Sequence, residues 1–136
     1  MKTFLSAIAL AATATAATAG GHAMPMIMAG DQSAADGFVS AEKVVTNENG
    51  WLVVHSTDAN LAPGPVVGHA PLRKGENNDV VALLTQPVEP GEMLMLMVHA
   101  EAGGTRPGIF EYTLGASEDG PIRIDGELVV WIVTAQ

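Results

Sequence analysis

The sequence predicts an all-β fold, an immunoglobulin-like Greek-key β-sandwich of about seven strands. Three observations carry this. Short β-branched runs recur along the chain, clusters of Gly, Pro, Asn and Asp separate them, and beyond the first nineteen residues no segment of ten or more keeps a 3.6-residue apolar period. The runs are Phe38–Val45, Trp51–Ser56, Pro65–His69, Asp79–Leu84, Met93–Ala100, Gly108–Thr113 and Glu127–Thr134. Between them lie 47–50, 58–64, 74–78, 89–91, 102–107 and 115–125. These connections contain Asn or Gly for positive φ and Pro for a fixed φ. The β-domain should therefore span 37–136. Residues 20–36, rich in Gly, Ala and Met with no period, read as a flexible arm before it.

The first nineteen residues read as a signal peptide. Lys2 supplies the positive start, Phe4 to Ala12 the apolar run, and Ala17-Thr18-Ala19 the small-x-small cleavage signature. The apolar run is well short of the roughly 20 residues a membrane span requires. The expected product is an exported protein, periplasmic or secreted, with no membrane span in the mature chain. The full chain has 6 basic and 15 acidic residues; the leader removes one Lys and no acid, leaving a formal charge of −10. Such a surface disfavours nucleic acid and anionic lipid, which bind by phosphate neutralisation. There is no cysteine, so thiolate metal sites, disulfides and a Cys nucleophile are excluded. Any metal must be held by His, Met, carboxylate or backbone.

Several phrases occur together in a fixed order: Trp51-Leu-Val-Val-His55, Pro63-Gly64-Pro65-Val66-Val67-Gly68, Met97-Val98-His99-Ala100-Glu101, Phe110-Glu111-Tyr112 and Asp119-Gly120-Pro121. In this the chain resembles DUF7282, a family of exported β-sandwich domains of unknown function, over about Val39 to Val133. Glu101 stands where that pattern has Asp, and Ile122 where it has Val. The resemblance implies an immunoglobulin-like fold and export. It implies no activity, and it leaves the arm outside the match.

Two groups of residues suggest metal chemistry. Cleavage after Ala19 would expose Gly20-Gly21-His22, whose amine, amides and imidazole form a square-planar nitrogen set suited to Cu(II). Met24, Met26 and Met28 follow directly, and thioethers prefer Cu(I). The second group is Met93, Met95, Met97 and His99, which share one strand face. Alternate Met on a strand is also ordinary core filling, so this group needs ligands from a neighbouring strand. His55 is one candidate and His69 another. Asp119, Asp125 and Glu127 fall in a turn-rich stretch where Ca²⁺ is conceivable and a solvated loop is the simpler account.

No nucleophile elbow, zinc-protease helix motif, phosphate loop or EF-hand pattern occurs, so a non-enzymatic role is expected. The leading expectation is an exported copper-binding accessory or carrier protein, using the Gly-Gly-His start and Met ligands. The alternative is a non-catalytic β-sandwich interaction module that docks another exported protein.

Overall fold

The computed structural model describes residues 23–136. The signal-peptide stretch and Gly20-Gly21-His22 lie outside the described residues. No helix among the described residues is long and apolar enough to cross a membrane.

Nine strands follow in chain order: β1 (Met26–Met28), β2 (Phe38–Thr46), β3 (Gly50–Thr57), β4 (Val66–Leu72), β5 (Gly75–Leu84), β6 (Met93–Ala100), β7 (Arg123–Ile124), β8 (Glu127–Leu128) and β9 (Val130–Thr134). Seven of them form one antiparallel sheet in the order β1-β2-β5-β4-β3-β6-β9, while β7 and β8 make a separate ribbon. β2 lies beside β5 rather than β3, a Greek-key order. The expected division between two facing sheets is replaced by a single sheet nearly closed into a barrel. The turn of the sheet falls where β4 meets β5 through only two register pairs, Gly68 with Leu84 and His69 with Leu83.

The expected arm is part of this sheet from Met26 onward. β1 pairs with β2, Met26 opposite Val45 and Met28 opposite Lys43, because buried Ile27 packs into the core. The barrel closes just downstream. Gln32 bridges Ala135 in parallel, accepting from the Gln136 N–H and donating its own N–H to the Thr134 carbonyl. Its side-chain amide turns the other way. Oε1 accepts the Ser40 N–H at 2.8 Å and Nε2 donates to the Ser40 carbonyl at 2.8 Å. One residue thus clasps β2 to β9, and Trp131 adds a 2.7 Å indole hydrogen bond to the Ala29 carbonyl.

Three further expectations differ. Residues 75–78, read as a turn, belong to β5, and the actual turn is Arg73-Lys74. Asn77 closes it by accepting from Arg73 N–H (2.9 Å) and donating to Arg73 C=O (2.8 Å). The run 108–113 is not a strand; Phe110 and Tyr112 pack against His99 instead. The run 127–134 is divided into β8 and β9, and β7 turns into β8 through Asp125-Gly126, both at positive φ.

The barrel interior is filled by Val39, Val44, Leu52, Val54, Val67, Leu96 and Val98, among others. β3 and β6 are buried on both faces. Leu52, Val54, Leu94, Leu96 and Val98 point into the barrel. Trp51, Val53, His55, Met95, Met97 and His99 point away from it and are buried all the same, beneath the long excursion between β6 and β9.

Candidate metal centre

In the β3–β6 register His55 stands opposite Met95, and His99 opposite Trp51. The two histidines are four strand positions apart, roughly 13 Å at the backbone. Their long side chains lean towards each other over Val53 and Met97, the pair midway between them in register. A bulge between Val54 and His55 against β4 bends the strand where this re-aiming happens. The imidazoles reach each other with Nε2 to Nε2 at 3.4 Å, and both residues are 0% exposed.

The other ring nitrogens are committed. His55 Nδ1 is 2.7 Å from the Gly64 carbonyl, and His99 Nδ1 is 2.7 Å from the Asp119 carbonyl. A carbonyl oxygen only accepts, so each Nδ1 carries the proton. Two bare Nε2 lone pairs are left facing one another, and a cation placed between them would relieve their repulsion. Burial pushes His55 down from its ordinary pKa, against the Gly64 hydrogen bond. His99 is pushed down to about 4, first by burial and further by a charge on His55, against the Asp119 carbonyl and carboxylate. At neutral pH a proton shared between the two rings is therefore disfavoured. A metal–imidazole bond of about 2.0–2.1 Å places two donors of a tetrahedral set about 3.4 Å apart, which the pair already matches.

His55 and His99 lie in two of the phrases by which the sequence resembles DUF7282. The DUF7282 profile, a domain of unknown function, matches residues 25–136. The chain belongs to the DUF7282 family. No curated protein and no solved structure matches it. The match begins before β1 and runs to the last residue, so the DUF7282 domain includes most of the segment expected to lie outside it.

The supports of the pair in this DUF7282 domain explain the other phrases. In Pro63-Gly64-Pro65, a side chain on Gly64 would meet Ser56 O and Oγ at 2.7 Å. Only glycine lets the loop come in close enough to present its carbonyl to His55. Asp119 is wholly buried, contrary to the solvated loop expected for it. Its carboxylate accepts the backbone N–H groups of Ala102 (3.1 Å) and Glu111 (2.8 Å) while its carbonyl holds His99. One residue thus ties both ends of the 102–111 loop to the histidine. Tyr112 packs edge-on against His99 with ring centroids 4.5 Å apart, and against His55 at 6.0 Å.

The remaining expected ligands are placed unequally. Met97 lines a 320 Å³ cavity together with His55, Tyr112, Pro121 and Arg123, and His99 is not in that lining. Met95 is buried opposite His55. Met93 is at the far end of β6, in a different pocket with Ser56 and Thr57. Met24 and Met26 line an open groove with Trp131 and Leu128, and Met28 is exposed on the same outward face of β1; none of the three lines the cavity at the pair. His69 is solvent-facing and stacks on Phe110 at 4.4 Å, away from the Nε2 pair. No group of three or more His, Asp or Glu converges among the described residues. The candidate centre is the His55–His99 pair, with Met97 midway between them in register. Asp119 and Gly64, which set its tautomers, escaped the sequence reading because their roles are played by backbone carbonyls.

Proposed function

We propose that this is an exported copper-binding accessory or carrier protein whose principal site is the His55–His99 pair, with Met97 as third ligand. The observation that carries the proposal is the pair of bare Nε2 atoms at 3.4 Å, each imidazole pinned at Nδ1 by a carbonyl. The donor set favours Cu(I). Imidazole and thioether are borderline to soft donors, and no thiolate or carboxylate is among them to balance a second positive charge. Burying an ion costs in proportion to the square of its charge, so a monovalent ion suits a dry, neutral site better than a divalent one.

The start of the chain belongs to the same proposal. A leader cleaved after Ala19 would free Gly20-Gly21-His22 for Cu(II), with Met24 and Met26 in the groove behind it. Leu128 of β8 lines both that groove and the cavity at His55. That shared residue supports a carrier with a Cu(II) site at its start and a separate Cu(I) site at the pair, passage from one to the other requiring an external one-electron reductant. No feature supports catalysis, and the protein is proposed as non-enzymatic.

The test is anaerobic titration of the exported protein with Cu(I) against a chromophoric chelator, with X-ray absorption of the complex and the intact mass of the mature chain. One tightly held Cu(I) with two N/O scatterers and one sulfur, lost in His99→Ala, supports the site. Retention of Cu(I) in the His55→Ala, His99→Ala double variant refutes it. In that case an interaction module is the better account. A mature mass beginning elsewhere than Gly20 removes the N-terminal site alone.

A further inference from the structure

Apart from Met1, the methionines of the chain form two runs at alternate positions, Met24, Met26 and Met28, and Met93, Met95 and Met97. The second run ends beneath the 101–122 excursion, where Met95 and Met97 are buried. The first has no such cover among the described residues. Met24 is 70% exposed, and Met26 and Met28 are exposed on the outward face of β1. β1 and β9 are the two ends of the seven-stranded sheet, and on the Met24 side of the Gln32 clasp the seam between them is open. Trp131 shows the opening. It stands opposite Leu96 of the barrel interior, yet it is 43% exposed. Met24, Met26 and Trp131 line a 490 Å³ groove at this seam, with Ile27, Leu128 and Val130.

A thioether in water is open to oxygen donors, and its sulfoxide is polar where the thioether was apolar. A thioether under a packed cover reacts only when that cover lifts, which costs local unfolding. We infer that Met24, Met26 and Met28 form a modification site for two-electron oxygen donors of the hydroperoxide class, and that their oxidation turns the groove at the seam from apolar to polar while the barrel stays folded. The sulfur lone pair attacks the terminal oxygen of the hydroperoxide. The S–O bond forms as the O–O bond breaks, and the departing oxygen takes up the proton. With hydrogen peroxide each methionine yields one sulfoxide and one water; sulfur loses two electrons and the peroxide gains them. No metal takes part, so this chemistry is independent of copper binding. Ile27 remains buried between Met26 and Met28 and keeps β1 against β2, so the new oxygens face water rather than the core. Return to the thioether needs a methionine sulfoxide reductase and its thiol reductant. The groove thereby has two surface chemistries, set by the oxidant outside.

The test treats the full exported protein, stripped of metal by a chelator, with excess hydrogen peroxide, quenches aliquots with free methionine and maps the peptides by mass. The expected result is one added oxygen on each of Met24, Met26 and Met28, with Met95 and Met97 oxidised more than about 100-fold more slowly because their cover must open first. Far-ultraviolet circular dichroism should be unchanged. Tryptophan emission should move to longer wavelength as the groove around Trp131 becomes polar. That shift should be absent in the Met24→Leu, Met26→Leu double variant, which keeps the indole and takes up no oxygen in the groove. Sulfoxide reductases with a dithiol should restore both mass and emission. Met95 or Met97 oxidised as fast as Met26 overturns the site, since exposure would then select nothing. Loss of the β-sheet signal on oxidation of the first run overturns the claim that the barrel stays folded. No emission shift, or an equal shift in the double variant, overturns the change in the groove.

Discussion

β1 and β6 both carry methionine at alternate positions, Met26-Ile27-Met28 and Met93-Leu94-Met95-Leu96-Met97, and both turn those methionines away from the barrel interior. Their fates are opposite. Met26 and Met28 are 39% and 42% exposed, whereas Met95 and Met97 are 3% and 2% exposed. Strand alternation decides which face a side chain takes, and nothing more. What decides burial is the chain laid over that face. Over β6 and β3 run the 101–122 excursion and the loop at Gly64; among the described residues nothing comparable covers β1. The histidines beside Met97 become a dry, tautomer-fixed pair for that reason, and the methionines of β1 remain exposed.

The largest expected effect separates the two strands by copper. His55→Ala or His99→Ala should weaken Cu(I) binding by more than about 100-fold, beyond what loss of an outer-shell partner costs. Met26→Leu and Met28→Leu together should leave binding at the pair unchanged. Chelator competition on the three variants decides this.

Removing the cover is next. Asp119→Ala leaves the Ala102 and Glu111 N–H groups without their acceptor, at about 1–3 kcal/mol for each buried donor. Urea unfolding should show stability lowered by about 2–4 kcal/mol. The near-ultraviolet signal of the tyrosine over the pair should change at denaturant concentrations where the barrel is still folded. Asp119→Asn, which keeps one acceptor oxygen, should fall between.

Acid then tests the dryness of the pair. His99 has a folded pKa of about 4 against 6.5 unfolded, so between these values the unfolded chain binds the extra proton. Stability from this source is complete above pH 6.5 and declines as pH falls towards 4, by up to about 3 kcal/mol. Urea midpoints at pH 7.0 and 4.5 should fall further apart in the parent than in His99→Gln, where the carboxylates still titrate but this imidazole does not. Equal gaps would show that the pair is solvated.

The smallest effect is on β1 itself. Met26→Ala should change stability by no more than about 0.5 kcal/mol, as for ordinary surface positions, whereas Met97→Ala should cost about 2–5 kcal/mol.

Much of the sheet was legible in the sequence. The run Met93–Ala100 is a strand with the expected bounds, and 38–45 and 51–56 differ from β2 and β3 by a residue or two, because β-branched runs between turn residues are local signals. The parity placing Met97 and His99 on one face was legible for the same reason. Three features were not. β1 is three residues long and too short to show an alternation. Residues 109–112 alternate like a strand, but the Glu111 N–H is taken by the Asp119 carboxylate rather than by a strand partner. The meeting of His55 and His99 depends on a bulge and on carbonyls at residues 64 and 119, and a carbonyl has no side-chain letter to read.

The clasp at Gln32 also bears on how the molecule is made. It joins a residue near the start of the domain to Thr134, Ala135 and Gln136 at the very end. A chain synthesised from its N-terminus has β2 to β5 complete long before their closing partner emerges. Until the last residues emerge, β1 and β2 present an open edge that Gln32 cannot yet cover on the β9 side, the kind of edge other chains can pair with. The interval between emergence of residue 32 and of residue 136 is therefore when this protein is most exposed to aggregation. Extensions fused after Gln136 would act at that same closing step.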